Sequence, residues 1–323
     1  MSGEYSSVLA PYISGLVATK RAAGYGYETA EFHLHHFDRY CSRIAECRSL
    51  SREVVLDWAK SRDGESPRTH RTRISPIREL GKYMKSVGVF DAFVLTSGLC
   101  RKVERYVPHF FTSQELSAFF AACDKLAPNG KAPARHLVLP VFFRLLYCCG
   151  LRTCEARKLR VENVDLQNGR LDILESKGCR SRRLPLSQDL LQLFRTYDVQ
   201  VSQIHPNRIY FFPTTRSKCY TSGAVAVVFG KIWKAAGLSK MTCGKKPRAY
   251  DLRHHFAYAN LNRWVAAAVD VNCMLPYLSR YMGHSSLENT DYYLHLVPEF
   301  FHIFSDKVRP TEALLPEVDY DKE

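Results

Sequence analysis

The side chains of this chain best suited to chemistry on an anion lie in four separated stretches. The first runs Gly150-Leu151-Arg152-Thr153-Cys154-Glu155 to Leu159. Gly150 can turn the chain, which places Arg152 at the first turn of a new helix, with Glu155 and Leu159 facing inward. The second, Ser176-Lys177-Gly178-Cys179-Arg180-Ser181-Arg182, is a turn between two strand-like runs. A lysine held there has short reach and fixed direction, which suits delivery of one proton to a defined atom opposite a polyanion. The third is Tyr250-Asp251-Leu252-Arg253-His254-His255, entering a helix. The fourth is Gly283-His284-Ser285-Ser286, followed by Thr290-Asp291-Tyr292-Tyr293. Neither a C-x-x-C repeat nor a Cys/His spacing suited to zinc occurs, so no metal and no cofactor is expected.

The elements that must position these residues read as mainly helical. Apolar spacing predicts helices over 7–20, 29–41, 52–62 and 69–86, then 113–126 and 134–149. In the second of these, Phe32, Phe37 and Tyr40 form the apolar stripe, and His33, His35 and His36 form a solvated or DNA-facing edge. Thr112 with Glu115 three residues on is the signature of a capped helix start. The one clear β region is a hairpin, 171–175 and 183–186. Helices resume at 188–199, 222–236 and 251–269. Phe142-Phe143 and Phe211-Phe212 have largely apolar flanks and are expected in the core. The pattern breaks around 98–108, which suggests four segments: a helical domain over 1–100, a basic linker over 101–109, a second domain over 110–305, and a short acidic tail over 306–323.

The formal charge of +14 points to a polyanionic partner, nucleic acid being the commonest. Candidate phosphate contacts are Arg68, Arg71 and Arg73 at the start of the fourth helix, Arg101, Lys102 and Arg105 in the linker, and Arg180 and Arg182 in the hairpin. The longest apolar runs are too short or interrupted to span a bilayer, and the N-terminus lacks the pattern of a secretory signal. A cytoplasmic protein is expected, with its eleven cysteines reduced and mostly buried.

Taken together and in this order, the four stretches resemble the tyrosine recombinase family, the phage integrases and their relatives. Members show G-L-R-x-x-E-x-x-x-L, K-G-x-x-x-R-x-x-P-L, H-x-L-R-H-x-F-A, and L-G-H-S-S followed by T-x-x-Y. The resemblance covers roughly 110–297; the helical N-terminal region resembles the family's core-binding domain more diffusely. It implies a mainly α fold: a helical, SAM-like core-binding domain, then a mostly helical catalytic domain with a small antiparallel sheet, the DNA breaking-rejoining enzyme fold. It implies that Arg152 and Arg253 grip the scissile phosphate, and that Tyr293 attacks phosphorus to give a 3′-phosphotyrosyl link. Lys177 would protonate the departing 5′-hydroxyl, and His284 would donate a further hydrogen bond to the phosphate. The bond energy is conserved in the protein–DNA link, so neither ATP nor metal is needed. Counting from Gly283-His284 puts Tyr293, not Tyr292, at the nucleophile position.

One position departs from the family. Tyr250 stands where members usually carry the histidine implicated in proton transfer with the nucleophile; a phenol can bind phosphate but shuttles protons less well. The implied partners are double-stranded DNA and further copies of the chain, a homotetramer on two DNA sites formed from monomers or dimers, with sister recombinases as possible additions. In that assembly the apolar segment 297–304 would pass to a neighbouring protomer. Integration or transposition of a mobile element is the favoured setting. The alternatives are a catalytically impaired DNA-binding accessory on the same fold and a type IB topoisomerase.

Overall fold

The computed structural model describes residues 4–44, 48–99, 106–176, 180–216, 218–238 and 246–284, with Ser286, Leu287, Thr290 and Tyr293. The chain divides into two compact units, Met1–Tyr106 and Val107–Glu323.

Four helices build the first unit: α1 (Ala10–Ala22), α2 (Glu28–Cys41), α3 (Arg52–Ala59) and α4 (Pro67–Ser86). Ser66 caps α4 by accepting from the Thr69 amide, and Pro67 occupies its first turn, where no intrahelical donor is lost. His70, Arg73, Ile74, Ile77, Leu80 and Met84 form the buried stripe of α4 at helical spacing. It packs on α1 and α2 around a core that includes Ile13, Leu34, Phe37 and Trp58. In α2 the buried side chains are Leu34, Phe37, Asp38 and Cys41. Phe32 is therefore not part of the apolar stripe: it lies 57% exposed, two residues out of phase with Leu34 and edge-on to His33 and His36.

The second unit opens with α5 (Ser113–Asp124), whose capping box joins Thr112 and Glu115 as the sequence suggests. α6 (Arg135–Cys149) follows, ending on Gly150 in the left-handed region at φ 58°. Its residues Phe142 and Phe143 join Phe119, Phe194, Phe211, Phe212 and Phe229 in an aromatic core. Then come the short α7 (Thr153–Lys158) and a three-stranded antiparallel sheet: β1 (Val164–Asp165), β2 (Arg170–Ser176) and β3 (Arg180–Pro185). The hairpin seen in the sequence is β2–β3; β1, two residues long, adds an edge. Pairing puts Leu171 opposite Leu184 and Ile173 opposite Arg182, on the buried face; Asp172 and Arg183 pair on the other, with Arg183 Nε donating to Asp172 Oδ1 at 2.7 Å. α8 (Gln188–Ile204), α9 (Ser222–Ala235), α10 (Asp251–Ala266) and α11 (Val271–Met282) complete the described elements. α10 and α11 share a smaller cluster of Ala257, Leu261, Leu275, Leu278 and Met282, and Tyr293 packs into it.

The thiols are less sheltered than the sequence suggests. Of the seven described cysteines, Cys41, Cys123 and Cys149 are buried, Cys219 is half-buried, and Cys148, Cys154 and Cys273 are exposed. Cys148 and Cys149 show why: adjacent helical positions point about 100° apart, so only one of them faces the core. No helix of the described residues is long and apolar enough to cross a membrane.

Candidate active site

Two glycine-ended helices create the site. α6 stops at Gly150 and α11 stops at Gly283, which takes φ 68°. A helix leaves its last carbonyls without intrahelical partners, and those groups carry the negative end of the helix dipole. At the end of α11, three consecutive carbonyls each receive a different arginine. Tyr281 O accepts from Arg182 Nε at 2.7 Å, Met282 O from Arg253 Nη2 at 2.7 Å, and Gly283 O from Arg152 Nη2 at 2.5 Å. Gly150 O accepts from Arg253 Nη1 at 2.6 Å, which ties the end of α6 to the same group. A Cβ on Gly283 would lie 2.8 Å from Arg182 Nη1 and 3.4 Å from Arg152 Nη1. Only glycine allows both the backbone conformation and the approach.

Glu155 is the anionic centre of this arrangement. Its carboxylate accepts from the Arg152 amide at 2.9 Å, from Arg152 Nη1 at 2.8 Å, and from Arg182 Nη1 and Nη2 at 3.0 and 2.9 Å. Burial pushes its carboxyl up, but the hydrogen bond and charge of Arg182, with those of Arg152, outweigh it and hold the carboxyl below its ordinary value. Arg182 is thus committed inside the protein on all three nitrogens. Expected as a phosphate contact, it shares the inward face of β3 with Leu184 and braces Arg152 through Glu155.

Arg253 is the unusual group. Its residue is 1% exposed, it makes no ion pair among the described residues, and its Nε has no hydrogen-bond partner among them. Burial, then the nearby charge of Arg152, lowers its pKa, partly opposed by Tyr250, Glu155 and Tyr293. A buried guanidinium that lacks a carboxylate is costly unless an anion completes it.

Tyr293 is buried, and its Oη lies 2.9 Å from Nδ1 of His254. The ring of His284 stacks on that of Tyr293, 6.2 Å between centroids and 12° between planes. Nδ1 of His284 is held by Thr290 Oγ1 at 2.7 Å. Both imidazoles are driven toward the neutral form. His254 is lowered to about 4, chiefly by burial, with Arg248 and Arg253 adding to the effect and Asp251 opposing it. His284 is lowered to about 3, by burial and then by Arg253, Arg152 and Arg182.

Of the side chains expected to act, the fold gathers Arg152, Arg253, His284 and Tyr293. Lys177, Arg101, Lys102, Arg105, Tyr292, the segment 297–304 and the tail 306–323 lie outside the described residues, as does the side chain of Arg180. Tyr250 precedes α10, half-buried, with its ring 5.0 Å from that of His254. Arg68 and Arg71 are exposed and line a groove of about 550 Å³ with Tyr27, Thr29, Thr72 and Glu79. Arg73, expected beside them as a phosphate contact, is instead buried. It donates to Glu65 at 2.7 and 2.8 Å, to Lys60 O at 2.8 Å and to Trp58 O. It falls on the core stripe of α4, three residues after His70 and four before Ile77. The sequence reading gave His254 no role, although it lies within a motif; its partner is 39 positions away, which no local pattern reports.

The sequence description of the phage integrase family matches residues 109–299, which include Arg152, Glu155, Arg182, Arg253, His254, His284 and Tyr293. The chain belongs to the phage integrase family. It is a tyrosine recombinase, an enzyme acting on DNA. It is 27% identical over 299 residues to the putative integrase/recombinase y4rE of Sinorhizobium fredii, covering 90% of this chain and 92% of that protein. To the tyrosine recombinase XerC of Chlorobaculum tepidum it is 25% identical over 252 residues, 72% of this chain and 70% of the relative. Among solved structures the fold is shared with the XerH site-specific recombinase bound to palindromic difH substrate. That likeness has TM-score 0.62 and 19% identity over 89% of this chain and 80% of the other. The Tn1549 transposon integrase in complex with transposon right end DNA shows the fold too, at TM-score 0.58 and 16% identity over 87% and 94%.

Proposed function

We propose that this recombinase cuts DNA by attack of Tyr293 Oη on the scissile phosphorus, giving a 3′-phosphotyrosyl link and a free 5′-hydroxyl. The observation that carries this reading is Arg253: a buried cation without a carboxylate partner among the described residues, set beside a buried tyrosine. A phosphodiester supplies the missing anion. Arg152 and Arg253 have N–H groups beyond those engaged with carbonyls and Glu155, and a guanidinium fork matches phosphate oxygens. As the transition state gains negative charge, these fixed donors stabilise it without reorganising. His284 is driven toward the neutral form; in the tautomer in which Thr290 donates to Nδ1, its proton sits on Nε2, where it can be given in a hydrogen bond to a phosphate oxygen. Lys177, which follows β2 in the sequence, protonates the departing 5′-oxygen. Arg68 and Arg71 contact the phosphate backbone from the first unit, and Arg101, Lys102, Arg105 and Arg180 add further cationic contacts.

The working assembly in this reading is a homotetramer on two DNA sites in the cytoplasm, with the segment 297–304 passed between protomers. Similarity to a putative integrase and to a transposon integrase supports movement of a mobile element as the setting.

The test is covalent trapping. Full-length protein is incubated without metal with nicked duplexes drawn from DNA flanking its gene, then run on a denaturing gel. Wild type and Tyr292→Phe should give a shifted protein–DNA band that Tyr293→Phe lacks. A band retained by Tyr293→Phe would overturn the nucleophile assignment, and salt-sensitive binding without any band would favour a non-catalytic DNA-binding role.

A further inference from the structure

We propose that His254 is the general base for Tyr293, taking the phenolic proton during cleavage and returning it during rejoining. This rests on the reading of Tyr293 as the nucleophile. The contact is direct: Nδ1 of His254 lies 2.9 Å from Oη of Tyr293, the distance of a hydrogen bond along which a proton can move. His254 leaves α10 one residue after Arg253, so a single helical turn fixes both the phosphate clamp and the proton acceptor. Position 250, where a histidine would serve in relatives, holds a phenol, which at neutral pH is a donor and a poor proton acceptor. Its ring instead packs edge-to-face with that of His254, 5.0 Å between centroids.

Oη of Tyr293 forms the bond to phosphorus as the bond from phosphorus to the 5′-oxygen breaks. The phenolic proton passes to Nδ1 of His254, and the 5′-oxygen takes a proton from Lys177. Rejoining reverses each transfer. His254 starts neutral, as an acceptor must. A weak base suffices, because the Oη proton becomes strongly acidic as the oxygen bonds to phosphorus. The groups that set its protonation are Asp251 and Arg248 before it, Arg253 beside it, and Tyr250, Tyr293 and His284 around the rings. An incoming phosphate adds negative charge and raises its affinity for the proton.

The experiment measures single-turnover formation of the covalent adduct on the nicked duplex, against pH, for wild type, His254→Asn and His254→Ala. Asn preserves the bulk and a polar atom near Nδ1 but cannot carry the proton. His254→Asn should bind DNA with unchanged affinity and melt near wild type, yet cleave about 100-fold slower at pH 7. The deficit should narrow toward pH 9, where hydroxide removes the phenolic proton, and added imidazole should restore cleavage to His254→Ala. Wild-type rate and pH profile in His254→Asn would overturn the proposal and leave His254 a packing residue. Slow cleavage with an unchanged pH profile and no imidazole rescue would also overturn it, in favour of positioning alone. An adduct that survives Tyr293→Phe, or no wild-type adduct, would instead remove the nucleophile reading on which the assignment rests.

Discussion

At the scale of single residues, the site depends on charge states that burial imposes. Glu155 stays ionised because two arginines surround it, while His254 and His284 stay neutral because burial and neighbouring arginines disfavour a further cation. The neutral imidazoles link folding to pH. An unfolded chain protonates these rings near 6.5, whereas the folded protein resists until about 4 and about 3. Between those values the unfolded state binds more protons, so the contribution to stability is complete above pH 6.5 and drains away as pH falls. Thermal melts of the free protein should therefore shift downward on acidification from pH 7 to 4.5. His284→Gln should show a shallower decline, and an equal or steeper one would refute the linkage for that ring.

At the scale of elements, the geometry of the candidate site is borrowed from helix ends. The exposed-carbonyl end of α11 would ordinarily be satisfied by water; here three guanidinium groups occupy it, and Glu155 couples two of them. This explains why Gly283 is placed between the arginines. Gly283→Ala must strain a left-handed backbone, at about 1 kcal/mol, and must displace Arg182 or Arg152. The expected outcome is a fall of at least tenfold in the covalent-trapping rate, with DNA affinity within twofold of wild type measured by filter binding. Full activity in Gly283→Ala would show that the arginines do not depend on that approach. Arg182 teaches the same lesson from the sheet: strand alternation, with Leu184 buried and Arg183 paired to Asp172 outside, sends Arg182 inward.

At the scale of the whole molecule, a net charge of +14 sets the electrostatic frame for DNA binding. Binding by counterion release has an affinity that falls linearly with salt on a double-logarithmic plot, with a slope near −0.9 per phosphate neutralised. Arg68 and Arg71 are exposed on one groove of the first unit, whereas Arg73 is consumed by Glu65 and backbone carbonyls. The double variant Arg68→Ala/Arg71→Ala should reduce the magnitude of the salt slope by about 2 and weaken binding to all sequences alike. Arg73→Ala should leave the slope unchanged and lower the melting temperature instead, because it leaves the half-buried Glu65 carboxylate without its partner. A fall in slope for Arg73→Ala without loss of stability would put that arginine back at the DNA.

The sequence by itself determined the mainly helical class, the β2–β3 hairpin, the capped start of α5 and the motifs that gather Arg152, Arg253, His284 and Tyr293. These are written in local periodicity, capping chemistry and fixed spacing, which a linear reading resolves. It did not separate Arg68 and Arg71 from Arg73, although helical phase with His70 and Ile77 held that information, because a run of cations looks uniform until one side is known to face a core. Nor did it give His254 its partner or show the three carbonyls of α11 that hold the arginines. Those contacts join positions 39, 29, 99 and 131 residues apart. Only tertiary packing decides them, since hydrogen bonds across such separations depend on where whole helices end in space and not on the residues that flank each partner.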